Sequence, residues 1–237
     1  MDGIIQSPEG LADKARALIF DLDGTLFDIR GFARHLVLAR PGDVLIILAE
    51  RLTRKGLRGR DFGSPGAYYE AFFSRMSRLT GASPETLRAW YFDRYMPRMG
   101  GILKKHYRPR PGTAELFNHL TGTSFPFAVY SDYPRTAERL SALGLEGGRP
   151  YGPELFGAQK PAARPFLSIA GDLGAPPDRT LVIGDRDDTD GAGALAAGMG
   201  YIGIGSPKKR KNSALPTLSW QACTVLLRER LRPGSGR

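Results

Sequence analysis

Residues 15–28 read Ala-Arg-Ala-Leu-Ile-Phe-Asp-Leu-Asp-Gly-Thr-Leu-Phe-Asp. The first six, Ala15 to Phe20, form a short, mostly apolar run with the pattern of a buried strand. Two carboxylates, Asp21 and Asp23, then stand two residues apart where that strand should end. Alternate strand residues point to the same side, so both can face one crevice. Gly24 marks a turn at the same place. Open parallel sheets bind their ligands at the carboxyl ends of strands, which makes the position suitable for a site. Carboxylates this close repel each other unless a cation or a shared proton relieves them. A solvated Asp/Gly turn has the same local sequence, so the rest of the chain must decide between turn and site.

Downstream the pattern changes twice. Residues 29–108 read as helical. Ile29 to Arg40 stops at Pro41-Gly42, and Asp43 to Lys55 carries Val44, Leu45, Ile47, Leu48 and Leu52 at helical spacing. A Gly/Arg-rich loop, Gly56 to Gly66, leads to a helix over Ala67 to Thr80 with Tyr68, Phe72, Phe73, Met76 and Leu79. Ser83 and Pro84 read as N-cap and first helical residue of another helix, which carries Leu87, Trp90, Tyr91 and Tyr95 up to Pro97. These aromatics have the spacing of the packed face of a small helical bundle. After the break at Pro109-Arg110-Pro111-Gly112, helices and strands alternate. Strands are expected over Pro126–Tyr130, Arg179–Ile183 and Tyr201–Ile204. Helices are expected over Thr113–Leu120, Pro134–Leu143, Ala162–Leu173, Gly191–Ala197 and Trp220–Arg230. That alternation implies a parallel sheet with helices on both faces. The organisation expected is a discontinuous, Rossmann-like α/β core, residues 1–27 and 109–237, interrupted by a helical unit, residues 28–108.

Composition narrows the class. The chain has 237 residues with 41% hydrophobic and 24% charged side chains, ordinary for a globular protein. Its one cysteine, Cys223, excludes an internal disulfide and suits a reducing compartment. No apolar run approaches the ~20 residues of a membrane span. Met1 to Gly10 contains Asp2 and Glu9 and no basic residue, unlike a signal peptide. A cytoplasmic protein is expected. The net charge is +10, and it is unevenly placed: residues 28–110 hold 17 Lys/Arg against 7 Asp/Glu, while the remainder holds 17 of each. A basic excess of this kind points to an anionic partner, whether nucleic acid, lipid or small substrate. Arg51, Arg54, Lys55, Arg58 and Arg60 crowd one helix end and loop, and Lys208 to Lys211 form a second basic run.

Three later stretches fall at expected strand ends or in loops. In Val129-Tyr130-Ser131-Asp132, a hydroxyl and the following backbone N–H groups can serve a phosphate oxygen. In Gln159-Lys160-Pro161, an ammonium precedes a helix start, which makes sense if an anion sits between them. In Gly184-Asp185-Arg186-Asp187-Asp188-Thr189-Asp190, four carboxylates in six residues follow an apolar strand. Such a cluster suits a hard cation bound through oxygen, Mg²⁺ when waters and a phosphate complete the octahedron.

Taken in order, DLDGTLFD, Ser131, Lys160 and GDRDDTD resemble the four motifs of the haloacid dehalogenase-like hydrolase superfamily. KPAARPF and GALAAGM fit the surrounding text, and the resemblance covers all but the tail. It implies that Asp21 is a nucleophile forming an aspartyl-phosphate. It implies that Asp23 protonates the leaving alkoxide and then activates water. Mg²⁺ would be held by Asp21, the Asp23 carbonyl, Asp185 and, through water, Asp190. Ser131 and Lys160 would bind the phosphoryl group, with Gly24, Thr25 and Asp132 beside them. Asp187 and Asp188 would lie outside the inner shell. The helical insertion resembles the family's cap, which closes over small substrates. Dehalogenase and phosphonate-cleaving members lack the acid that Asp23 supplies, and ion pumps need membrane helices. The resemblance therefore implies a phosphatase acting on a small phosphorylated metabolite. The alternatives are a phosphomutase, or a protein that binds anions, nucleic acid or a membrane surface without turnover. Nucleic acid is the less expected partner, because the acids, Ser131 and Lys160 would then have no use.

Overall fold

The computed structural model describes residues 7–206, 208 and 213–231. Helix α1 (Pro8–Lys14), capped by the Ser7 hydroxyl, leads into strand β1 (Ala17–Asp21). Helices α2 (Phe32–Ala39), α3 (Val44–Leu57), α4 (Pro65–Thr80), α5 (Pro84–Ala89) and α6 (Met96–His106) follow before the chain returns to the sheet. Then come α7 (Thr113–Gly122), β2 (Phe127–Tyr130), α8 (Thr136–Ala142), β3 (Arg149–Tyr151) and α9 (Pro153–Phe156). The chain ends with α10 (Ala163–Asp172), β4 (Thr180–Gly184), α11 (Ala192–Ala196), β5 (Gly200–Ile204), β6 (Thr217–Leu218) and α12 (Trp220–Arg230).

The six strands make one sheet in the order β3-β2-β1-β4-β5-β6, and every neighbouring pair is parallel. β1, β2 and β4 are buried at every position, as strands covered on both faces must be. β1 divides its side chains between two cores. Leu18 and Phe20 pack with Phe117 of α7 and Leu227 of α12, whereas Ala17 and Ile19 pack with Phe166 and Ile169 of α10. The strand order reverses beside β1, which opens a crevice at the carboxyl ends of β1, β2 and β4.

The helical layer between β1 and β2 packs on its aromatics. Tyr68, Phe72, Phe73, Trp90, Tyr91 and Tyr95 are buried, and the rings of Phe72 and Tyr91 lie 5.3 Å apart. Burial of each such side chain stabilises by roughly 1.5–3 kcal/mol. Ser83 caps α5 through the Thr86 N–H, with Pro84 in the first turn, as the sequence indicates.

Several expectations need correction. Pro97 does not end the helix begun at Pro84. A π-turn over Trp90–Tyr95 links α5 to α6, and Pro97 sits in the first turn of α6, where its missing N–H costs least. Helix α3 turns the other way from its apolar pattern. Of Val44, Leu45, Ile47, Leu48 and Leu52 only Ile47 is buried, and Leu45 is 75% exposed. The buried positions are Ile47, Ala49, Glu50, Thr53 and Leu57, and half-buried Arg54 pairs with the buried Glu50. Strands β3 and β6, three and two residues long, carry no clear alternation and were not expected. Met1 to Gln6, Pro207 and the basic residues Lys209 to Lys211 lie outside the described residues, as does the tail after Leu231. Among the described residues no helix is long and apolar enough to cross a membrane.

Candidate active site

Asp21 closes β1 and pairs in register with Tyr130, while Phe20 pairs with Ile183. This register puts Asp21, Ser131 and Asp185 at the same end of the three central strands. Gly24 follows with φ +99°, and a Cβ there would run into the Asp185 carboxylate. A side chain at Gly184 would likewise strike Asp190. Both glycines thus allow carboxylates to approach a common point.

Lys160 holds the centre. Its Nζ donates to Asp21 Oδ1 at 2.7 Å, to Asp190 Oδ1 at 2.8 Å and to the Tyr130 carbonyl at 2.9 Å, and it lies 4.8 Å from the Tyr130 ring centre. All three donors of the ammonium are used, in a buried position. The other oxygen of Asp21 accepts from the Thr25 hydroxyl at 2.9 Å. These bonds fix the orientation of the Asp21 carboxylate.

Burial pushes the Asp21 carboxyl well above its ordinary range. Lys160 opposes that push, and Asp190, Asp185 and Asp23 add to it. Burial also works against the charge of Lys160, but Asp190, Asp21 and Asp132 outweigh it and hold the ammonium protonated. The pocket therefore has more negative charge than Lys160 alone can balance. Carboxylate oxygens of Asp21, Asp185 and Asp190 lie within 4.8 Å of one another. Their donor type, and the glycines that make room for them, fit a hard divalent cation.

The remaining wall is built on Asp23. Its Oδ2 accepts from the Ser131 hydroxyl at 2.8 Å, and its Oδ1 meets the guanidinium of Arg139. Arg139 is 1% exposed and also donates to Ser131 Oγ at 2.9 Å. The Tyr133 N–H completes the ring on Ser131 at 3.0 Å. The Asp132 carboxylate accepts the backbone N–H of Lys160 at 2.9 Å and so positions the lysine loop. Asp190 Oδ2 accepts the Arg186 N–H at 3.2 Å, within a π-turn over Asp187–Gly191. Asp187 accepts from Tyr201 Oη and Ser213 Oγ, while exposed Asp188 pairs with Arg58 and Arg186.

The structure thus brings Asp21, Asp23, Gly24, Thr25, Ser131, Asp132, Lys160, Asp185 and Asp190 to one end of the sheet. Sequence reading missed Arg139, although it occupies an apolar-face position of α8, between Thr136 and Leu143 at helical spacing. A charge within such a stripe is the signal that was available. It also missed Arg110, whose guanidinium donates to the carbonyls of Gly24 and Thr25 at 2.8 and 3.0 Å.

A sequence model described as haloacid dehalogenase-like hydrolase matches residues 15–198. The chain belongs to the haloacid dehalogenase-like hydrolases. Two curated proteins share sequence with this family member. Phosphoglycolate phosphatase of Aquifex aeolicus is 26% identical over 209 residues, covering 81% of this chain and 88% of the relative. Glyceraldehyde 3-phosphate phosphatase of Methanothermobacter thermautotrophicus is 27% identical over 201 residues, with 81% and 86% covered. Among solved structures, a haloacid dehalogenase-like phosphatase of Thermococcus onnurineus superposes with TM-score 0.59 at 20% identity, covering 92% of this chain and 98% of that one. A 2-haloacid dehalogenase of Pseudomonas syringae pv. Tomato superposes with TM-score 0.58 at 16% identity, with 91% and 99% covered. Phosphatases and dehalogenases of the superfamily share this fold, so the fold alone does not choose between them.

Proposed function

We propose that this hydrolase is a Mg²⁺-dependent phosphatase of small phosphorylated metabolites, working through an aspartyl-phosphate on Asp21. The observation that carries the reading is the pairing of Asp21 with a second acid. Lys160 and Thr25 orient Asp21 as a nucleophile, while Asp23, two residues on, is held on the Ser131 wall. Displacement of a halide needs no proton donor, whereas expulsion of an alkoxide does. Both curated relatives are named as phosphatases, which supports the same choice.

In this mechanism an Asp21 oxygen attacks phosphorus and the ester oxygen departs with a proton from Asp23. Asp23 then takes a proton from the water that attacks the aspartyl-phosphate, and Asp21 is regenerated. Lys160 and the Ser131 hydroxyl neutralise and orient the phosphoryl oxygens. Asp21, the Asp23 carbonyl, Asp185 and Asp190 would hold Mg²⁺. The ion, when bound, supplies charge neutralisation between the carboxylate and the phosphate dianion. The helices of residues 28–108 serve as a cap over this pocket, and the core is residues 1–27 with 109–237.

The test is hydrolysis of p-nitrophenyl phosphate with and without Mg²⁺ by wild type and Asp21→Asn. The reading requires metal-dependent turnover that the substitution abolishes. Equal turnover by both proteins would remove Asp21 from the nucleophile's role.

A further inference from the structure

One face of α3 looks into a cleft of about 280 Å³. Arg51, Arg54, Lys55 and Arg58 line it, at spacings i, i+3, i+4 and i+7 along the helix. Arg186 faces them from the core side, and the other walls are Asp132, Gln159 and Thr189. Each of those last three is the immediate chain neighbour of Ser131, Lys160 or Asp190. The cleft therefore lies beside the catalytic pocket.

The charges of this cleft are not all spoken for. Arg54 is turned inward and paired with Glu50, and it also donates to the Asp132 carbonyl at 2.6 Å. Arg58 and Arg186 share the single carboxylate of Asp188. Arg51 and Lys55 have no ion pair or side-chain hydrogen bond among the described residues. Arg51 and Lys55, a like-charged pair at i, i+4 on the helix, repel each other, and Arg58, the residue after the helix, adds a further positive charge. Arg51 and Lys55 stand exposed at the rim of this recess, and Arg54 and Arg58 are half-buried along it. The recess thus has a surplus of positive charge and guanidinium forks suited to a planar anion.

We propose that the substrate of this site carries a second anionic group beside its phosphate ester, and that Arg51 and Lys55 bind that group. The inference rests on the phosphatase reading and names the substrate class that reading leaves open. Phosphate enters between Lys160 and Ser131, and the far end of a short substrate reaches the α3 stripe. A neutral phosphorylated sugar or aldehyde leaves the stripe unpaired. A phosphorylated carboxylic acid, or a bisphosphate, pairs with it.

The test compares kcat/KM, with Mg²⁺, for three esters of similar length: ethyl phosphate, 2-phosphoglycolate and ethane-1,2-diol bisphosphate. Wild type should prefer one or both of the last two to ethyl phosphate by at least about tenfold, the scale of one charge-assisted hydrogen bond. That ratio should collapse in Arg51→Ala/Lys55→Ala, mainly through KM, and recover in Arg51→Lys with Lys55 intact. Preference for the carboxylate over the bisphosphate, or the reverse, identifies which anion the stripe accepts. Equal kcat/KM for all three, or none hydrolysed while p-nitrophenyl phosphate is, overturns the inference and leaves the phosphatase reading standing. A wild-type preference that survives unchanged in the double variant also overturns it. No turnover of any of the four esters overturns both.

Discussion

The buried guanidinium of Arg139 meets the carboxylate of Asp23 and at the same time donates to the Ser131 hydroxyl at 2.9 Å. One side chain from α8 thereby fixes both the acid and the hydroxyl of this wall. Its fork reaches two acceptors at once, which a lysine ammonium cannot reproduce in the same plane. The Tyr133 ring lies 5.4 Å from the guanidinium carbon and packs on it.

Arg139→Met should therefore weaken proton delivery more than it weakens phosphate binding. With an alkyl phosphate, whose leaving group needs a proton, kcat should fall about 10²-fold, the usual worth of a positioned acid. With p-nitrophenyl phosphate, whose leaving group needs little help, the fall should be much smaller. Steady-state kinetics on the two esters measures the difference, and Arg139→Lys should restore little of it. An equal loss on both would make Arg139 a packing residue only.

Lys160→Met removes the one ammonium that joins Asp21 to Asp190. Two buried carboxylates are then left facing each other without it. Breaking a buried pair from one side costs roughly 3–5 kcal/mol. Urea unfolding in a chelator should show this loss as a lowered midpoint at unchanged m-value, the shift being the lost free energy divided by m. A midpoint within error of wild type would mean that water already satisfies the acids.

The Asp21, Asp185 and Asp190 cluster predicts that Mg²⁺ stabilises the folded chain. At a free concentration 100 times its dissociation constant the gain is about 2.7 kcal/mol for a single site. Thermal unfolding against Mg²⁺ concentration should show it in wild type and lose it in Asp185→Asn. Persistence of the full shift in that variant would place the ion elsewhere.

A strap between the helical layer and the core predicts a response to acid. Asp61, in the loop after α3, receives two hydrogen bonds of 2.6 Å from Arg164 at the start of α10. That Arg164 contact holds the Asp61 carboxyl below its ordinary value. A carboxyl lowered by folding contributes stability above its unfolded value, near pH 3.9, and loses it as pH falls through the folded value. Both partners are part-exposed, so the contribution is under about 1 kcal/mol. Asp61→Asn should flatten the pH dependence of the unfolding temperature below about pH 4. An unaltered acid slope would show that the strap carries no stability.

Much of this was legible in the sequence, for a physical reason. β1, β2 and β4 are continuous apolar runs because both their faces are covered, and the chemistry sits in the polar residues that interrupt them. Asp21, Ser131 and Asp185 were therefore visible as breaks in pattern at strand ends, and Lys160 as a cation set just before a helix. α3 was misread for the opposite reason. Its apolar residues Leu45, Leu48 and Leu52 face outward, while polar Glu50 and Thr53 are buried beside the core residues Ile47 and Leu57, and Glu50 is paired there with Arg54. Arg139 was hidden because its carboxylate partner, Asp23, comes from 116 residues away in the chain, a pairing that only the sheet order creates. Arg110 is similar: it reaches back 86 residues to Gly24, tying the end of the helical layer to the acidic turn.

The central claim is that Asp21 itself carries the phosphoryl group. Rapid acid quench of the Mg²⁺-loaded enzyme during turnover of p-nitrophenyl phosphate, followed by mass analysis of the peptide spanning Asp21, tests it most directly. The account predicts an acid-stable, hydroxylamine-sensitive phosphoryl group on Asp21 in wild type, accumulating further in Asp23→Asn if water attack is slowed, and none in Asp21→Asn. Phosphate release by an enzyme that never carries label on Asp21, with Asp21→Asn still active, would contradict it.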